Sequence, residues 1–181
     1  DGLPLNPGGG SVVNLTEWPL SSFERVEVFR GNAPPSFGAA PMGGVLNLVT
    51  RDGDTPATFS AGAGAFGTYS ASASMGLPAG KGGALWGNAG AFATRGDFEA
   101  FDDNGTLYNT ADDRTVQRKN NDTQQGNALL RWRLGSDRLR LSVLDAALVR
   151  REGLAGPIES PANEVSLSTW RHLAALKLEG R

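Results

Sequence analysis

From Phe59 onward the chain alternates by twos. Phe59, Ala61, Ala63 and Ala65 fall opposite Ser60, Gly62 and Gly64, and Tyr69, Ala71, Ala73, Met75 and Leu77 fall opposite Ser70, Ser72, Ser74 and Gly76. Period two places one set on each face of a strand, so two strands joined at Phe66-Gly67 are predicted, each with one apolar face and one of small polar residues. A third strand is predicted over Ala84 to Phe98. Trp86 and Phe92 share one of its faces and Leu85 and Ala91 the other, so the pattern leaves its facing open. A fourth sets Ala128, Leu130, Trp132 and Leu134 against Leu129, Arg131 and Arg133, and a fifth sets Leu139, Leu141 and Val143 against Arg138, Arg140 and Ser142. The fifth loses phase at Leu144-Asp145, which predicts a β-bulge or the end of the apolar band. The sixth, Trp170 to Glu179, puts His172, Ala174, Leu176 and Leu178 on one side and Arg171, Lys177 and Glu179 on the other.

The first third reads differently. Trp18-Pro19-Leu20-Ser21-Ser22 suits a turn or a single helical turn, with Pro19 at a first helical position. Phe23-Glu24-Arg25-Val26-Glu27-Val28-Phe29-Arg30-Gly31 alternates charged and apolar residues as a half-buried strand does, and Val45 to Val49 is a short apolar run of the kind a small core buries on both faces. The polar cluster Asp52-Gly53-Asp54-Thr55-Pro56 separates that run from the alternating strands and sets a boundary between residues 1–56 and 57–181.

Composition narrows the class. A net charge of −2 argues against a nucleic-acid binder, and the absence of cysteine removes disulfide scaffolds and zinc–thiolate sites. No run approaches the roughly 18 to 20 consecutive apolar residues of a spanning helix, so any membrane crossing is by strands. The 25 glycines beside many Ser, Thr and Asn suit a barrel wall, and on composition alone suit a soluble Gly-rich β-protein equally. In a barrel, an arginine facing lipid near the midplane would cost about 2 to 4 kcal/mol, so Arg131 and Arg140 should face the lumen. Trp86, Trp132 and Trp170, near strand ends, fit aromatic girdles; the same residues would serve as core in a soluble sandwich.

The connections alternate as well. Those near Phe66-Gly67, from Pro78 to Gly83 and at Gly135-Ser136-Asp137 are short; those from Gly96 to about Thr123 and from Gly153 to Ser168 are long. Outer-membrane barrels have short periplasmic turns and long external loops, which puts residues 78–83 and 135–137 inside and the two long loops outside. The first residues, Asp1-Gly2-Leu3-Pro4-Leu5, carry no initiator Met and no signal-type apolar segment, and Arg181 falls within an apparent strand, so both ends read as cut from a longer chain.

No enzyme constellation is present. His172 is the only histidine, which rules out a His cluster or a Ser-His-Asp triad within the chain and leaves a packed or interfacial histidine. No P-loop Gly-Lys-Ser/Thr follows the glycines. Asp102, Asp103, Asp112 and Asp113 could supply oxygens to calcium, although Asp102-Asp103-Asn104-Gly105 misses the EF-hand spacing, and Arg95-Gly96-Asp97 is a tripeptide expected by chance in a charged loop.

One stretch is specific. Glu24-Arg25-Val26-Glu27-Val28-Phe29-Arg30-Gly31, then Ser36-Phe37-Gly38, then Met42-Gly43-Gly44-Val45-Leu46-Asn47-Leu48-Val49-Thr50-Arg51 resembles in order and spacing the plug domain of TonB-dependent outer-membrane receptors. Asn32 stands where that family usually has proline, and Pro34-Pro35 stiffens the loop without disturbing the flanking strands. The resemblance implies a mainly β chain: residues 1–56 as the C-terminal part of a small mixed α/β plug, and residues 57–181 as the first six or so strands of an antiparallel transmembrane barrel of about 22 strands. It implies active uptake of a scarce solute across the bacterial outer membrane, in the ferric siderophore, haem or cobalamin class, with the TonB-ExbB-ExbD complex, membrane lipid and the solute as partners and no cofactor. Gly43-Gly44-Val45-Leu46-Asn47 looks closer to the siderophore and cobalamin branch than to glycan importers. The resemblance further implies that Asn32, Pro34, Pro35, Ser36 and Phe37 form a substrate-facing loop at the plug apex, and that Glu24, Arg25, Glu27 and Arg30 pair with charges of the barrel wall. A soluble or secreted Gly-rich β-domain acting as an adhesin or interaction module is the alternative from another class.

Overall fold

The computed structural model describes residues 5, 15, 18, 22–31, 34–37, 43–51, 53, 55–80, 82–106, 108–136 and 138–180. Pro19, Leu20 and Ser21, where a turn is expected, lie outside the described residues. Two strands come first, β1 (Phe23–Phe29) and β2 (Val45–Thr50), with a 3-10 turn at Pro35–Phe37 in the connection between them. They pair antiparallel, Phe29 opposite Val45 and Val26 opposite Leu48, with an irregularity between Phe23 and Arg25. Gly44 opens β2 at φ +118°, and a Cβ there would lie 2.3 Å from the Phe29 carbonyl oxygen, so only glycine lets the second strand start this close to the end of the first.

The larger body is one antiparallel sheet of β3 (Thr58–Gly64), β4 (Thr68–Pro78), β5 (Ala84–Thr94), β8 (Thr123–Gly135), β9 (Leu139–Gly153) and β10 (Ser166–Gly180), in the spatial order β10-β9-β8-β5-β4-β3. Each strand neighbours the next in this meander. Between β5 and β8 the long connection folds into its own hairpin of β6 (Glu99–Asp102) and β7 (Arg114–Gln117), which leaves β5 and β8 free to pair directly.

Register carries one face through all six strands. Phe59 lies opposite Ala73, Ala73 opposite Ala89, Ala89 opposite Ala128, Ala128 opposite Ala147, and Ala147 opposite His172, so these side chains share a side. On the same side Phe59, Tyr69, Met75, Leu130, Trp132, Trp170 and Leu176 are exposed. The opposite side holds Ser60, Ser72, Asn88, Arg131 and Arg140, as the alternation predicts. Hydroxyl pairs run down that side, Ser60 to Ser72 and Thr58 to Ser74, each at 2.7 Å.

Two expectations are corrected. Strand β9 has no bulge at Leu144-Asp145: its register is unbroken against both β8 and β10, with Asp145 opposite Leu130 and Ala174. Asp145 breaks the apolar pattern without breaking the strand because its carboxylate finds a partner on β10, His172 Nε2 lying 2.9 Å from Asp145 Oδ2. Trp86 does not join an outer girdle. It lies opposite Arg131 on the polar side and is fully buried, because the β1–β2 hairpin packs over that side. Trp132 and Trp170 are on the apolar side, the latter 83% exposed.

Candidate functional site

The hairpin meets the sheet around Trp86. Phe23, Trp86, Leu129 and Ala146 form a buried apolar cluster, with Trp18, Leu48, Leu144 and Leu173 packed against it. Polar contacts flank it: Ser22 Oγ donates to Asn88 Oδ1 at 2.8 Å, and Asn88 Nδ2 donates to the Ala73 carbonyl at 3.2 Å. Arg131 reaches from β8 to the end of β2, with Nη1 3.0 Å from the Thr50 carbonyl oxygen and 2.7 Å from Thr50 Oγ1. A guanidinium can point into this space because its N–H groups meet acceptors there. The link that follows is also held to the wall, since the Gly76 amide donates to the Thr55 carbonyl at 3.0 Å.

The four charged residues of the motif lie as follows. Arg25 pairs along its own strand, Nε to Glu27 at 2.8 Å and Nη1 to Glu24 at 3.3 Å. Glu27 also accepts from Asn47 Nδ2 at 2.8 Å across the hairpin. That amide hydrogen bond, with the neighbouring Arg25, holds the Glu27 carboxyl below the ordinary glutamate range. Arg30 is exposed and makes no ion pair among the described residues. Beside the apolar cluster, hydrogen bonds from Ser22 to Asn88 and from Arg131 to Thr50 join this part of the chain to the sheet. The sequence signal for Asn88 was its place in the same phase as Trp86 among Gly and Ala, and for Arg131 its place on the polar face; neither names a partner.

In the loop after β1, Asn32 lies outside the described residues. Pro34 and Pro35 are exposed, and the Phe37 amide closes a turn on the Pro34 carbonyl at 3.0 Å. The Phe37 ring packs on Phe29 with centroids 5.3 Å apart, which ties the turn to the hairpin.

At the opposite end of the sheet the two long loops form one body. Asn120, at φ +51°, donates through Nδ2 toward the carbonyls of Leu154 at 3.2 Å and of Ala162 and Val165 at 2.7 Å. Arg118 donates to the Gly156 carbonyl. Within the first loop the acidic residues serve the fold: Asp102, buried, holds Arg114 at 2.9 Å and caps the Asn104 amide; Asp103 caps the Gly105 amide; Asp112 accepts from Asn104 and Thr106. Those two donors keep the Asp112 carboxyl below its ordinary value. Among the described residues, Asp113 included, no group of three or more His, Cys, Asp or Glu side chains is arranged to hold a metal ion.

Residues 1–45 match the family model of the TonB-dependent receptor plug domain. The chain is similar to the vitamin B12 transporter BtuB of Photobacterium profundum, 32% identical over 89 residues, a match covering 48% of this chain and 14% of that protein. The chain thus spans a small part of the length of this relative. No solved structure gives a significant match.

Proposed function

We propose that this chain, whose residues 1–45 match the plug domain of TonB-dependent receptors, contributes plug and wall to an outer-membrane active transporter of that family, with residues 1–56 in the plug and 57–181 supplying the first barrel strands. The family is one of transporters and receptors rather than enzymes. The observation that carries the reading is the two-sided sheet. One side is apolar and exposed from Phe59 to Leu176, while the other is polar and receives the β1–β2 hairpin through Thr50, Ser22 and Trp86. A wall that faces lipid and encloses a plug needs these two sides.

The solute is proposed to be of the cobalamin class, on the similarity to a vitamin B12 transporter, with ferric siderophores or haem as the competing classes. Energy would come through the TonB-ExbB-ExbD complex. Pro34, Pro35, Ser36 and Phe37, with Asn32, would face the incoming solute, and Arg30 would pair with the wall in the complete receptor. The test is the full-length protein extracted from outer membranes in detergent: it should migrate faster unheated than heated, and its deletion should abolish uptake of cobalamin at nanomolar supply. A water-soluble, heat-insensitive product would overturn the transporter reading in favour of an adhesin-like domain. In the same receptor Ser36→Arg should weaken solute binding at unchanged abundance; unchanged affinity would remove the loop from the site.

A further inference from the structure

We propose that the two long loops form a binding pocket for a small soluble polyanion, a solute bearing carboxylate or phosphate groups. The hairpin β6–β7 and the loop after β9 enclose a cavity of about 390 Å3, within the usual size of small-molecule sites. Asp102, Arg114, Arg118 and Lys119 line it from the first loop, and Ile158 and Pro161 from the second.

The charges do not cancel. Asp102 is buried and occupied by Arg114, both Nε and Nη2 lying 2.9 Å from its Oδ2. That leaves Arg118 and Lys119 as the two positive groups over the cavity, in a chain whose net charge is −2. Arg118 spends one N–H on the neutral Gly156 carbonyl, which aims the guanidinium across the gap between the loops without reducing its charge. Lys119 is exposed and makes no ion pair among the described residues. The cavity is also built rather than incidental, because the Asn120 amide fastens the second loop at both ends, at Leu154 and at Val165. A guanidinium and an ammonium facing the apolar Ile158 and Pro161 suit an oxyanion attached to a carbon skeleton better than a neutral solute. The inference rests on the transporter reading for placing these loops on the external side, and there the pocket would select anionic solutes or anionic parts of a larger one.

The experiment uses the full-length receptor in lipid-free detergent, titrated with citrate and with inorganic phosphate while intrinsic tryptophan fluorescence is followed. Saturable binding, tighter for citrate and weakened by added sodium chloride, is expected. Lys119→Gln should weaken it about 5-fold, and the pair Arg118→Gln with Lys119→Gln at least about 10-fold. Heat-modifiable migration equal to wild type certifies that each variant is folded. A folded receptor that binds neither anion, or a Lys119→Gln variant that binds citrate as wild type does, would overturn the pocket. So would binding confined to vesicles of a phosphate-bearing lipid, which would assign the charges to headgroups. Loss of heat-modifiable migration in the unmutated protein would instead count against the transporter reading.

Discussion

Arg131 shows how little an individual charge reveals until its surroundings are known. Its face follows from alternation, since it sits between Leu130 and Trp132, yet its acceptors, the Thr50 carbonyl and hydroxyl, lie 81 residues away and have no signature in the sequence. Hydrogen bonds to a charged, half-buried group contribute about 1.5 to 3 kcal/mol. Arg131→Ala should therefore loosen the β1–β2 hairpin, seen as faster labelling of a cysteine placed at Leu48 in the full-length receptor; labelling at the wild-type rate would make the contact idle. The same assay on Arg30→Ala decides the proposed Arg30 contact with the wall. Glu27 gives a pH test. Its carboxyl is depressed in the folded hairpin by Asn47 and Arg25, so this contribution is present above the ordinary glutamate value and is lost only as pH falls through the lower, folded value. Asn47→Ala should move the acid loosening of the hairpin to higher pH. An acid midpoint that does not move would show that the Asn47 bond has no thermodynamic weight.

Most of the elements were legible because a strand with two unlike faces writes its facing into every second residue. Where both faces are apolar the code fails: β5 offers Leu85 and Ala91 on one side against Trp86 and Phe92 on the other, and only the packed hairpin reveals that Trp86 is the inner residue. The converse error arose at Asp145, a polar residue in an apolar phase, whose partner His172 stands on the next strand where no local pattern could indicate it. The pair forms a sharp test on the apolar side. Removing one member strands the other, so His172→Leu should destabilise the full-length receptor by about 1 to 3 kcal/mol, and adding Asp145→Val should recover most of the loss. Measured by urea-driven refolding into vesicles, strict additivity of the two changes would show that the pair is uncoupled.

At the scale of the whole molecule the sheet is open, with β3 and β10 at its edges and a continuous apolar side. Unpaired strand edges and a surface of this kind are tolerated by neither water nor lipid. Residues 1–181 produced alone should collect in inclusion bodies, while the full-length receptor should reach the membrane; a monodisperse, cooperatively unfolding monomer of residues 1–181 would contradict the barrel assignment. The long connections were readable as loops by their length, whereas their union through Asn120 was not, because one amide serving carbonyls 34 to 45 residues ahead is a tertiary event.

The manner in which β1–β2 is fastened sets how it would respond to a mechanical load. Within the sheet, neighbouring strands share long ladders that must be sheared all at once, but the hairpin is tied to the wall at isolated points near its open end, where Phe23 lies opposite Thr50: Ser22 to Asn88 where the chain enters, Thr50 to Arg131 where it leaves, and a greasy bearing around Trp86 beside them. Tension entering from the N-terminal side would reach the Ser22 tie first and could peel the ties in sequence, each at low force. The knot where Thr55 meets Gly76 would stop the peel at the wall, so the plug could yield while the barrel it leaves behind keeps its shape.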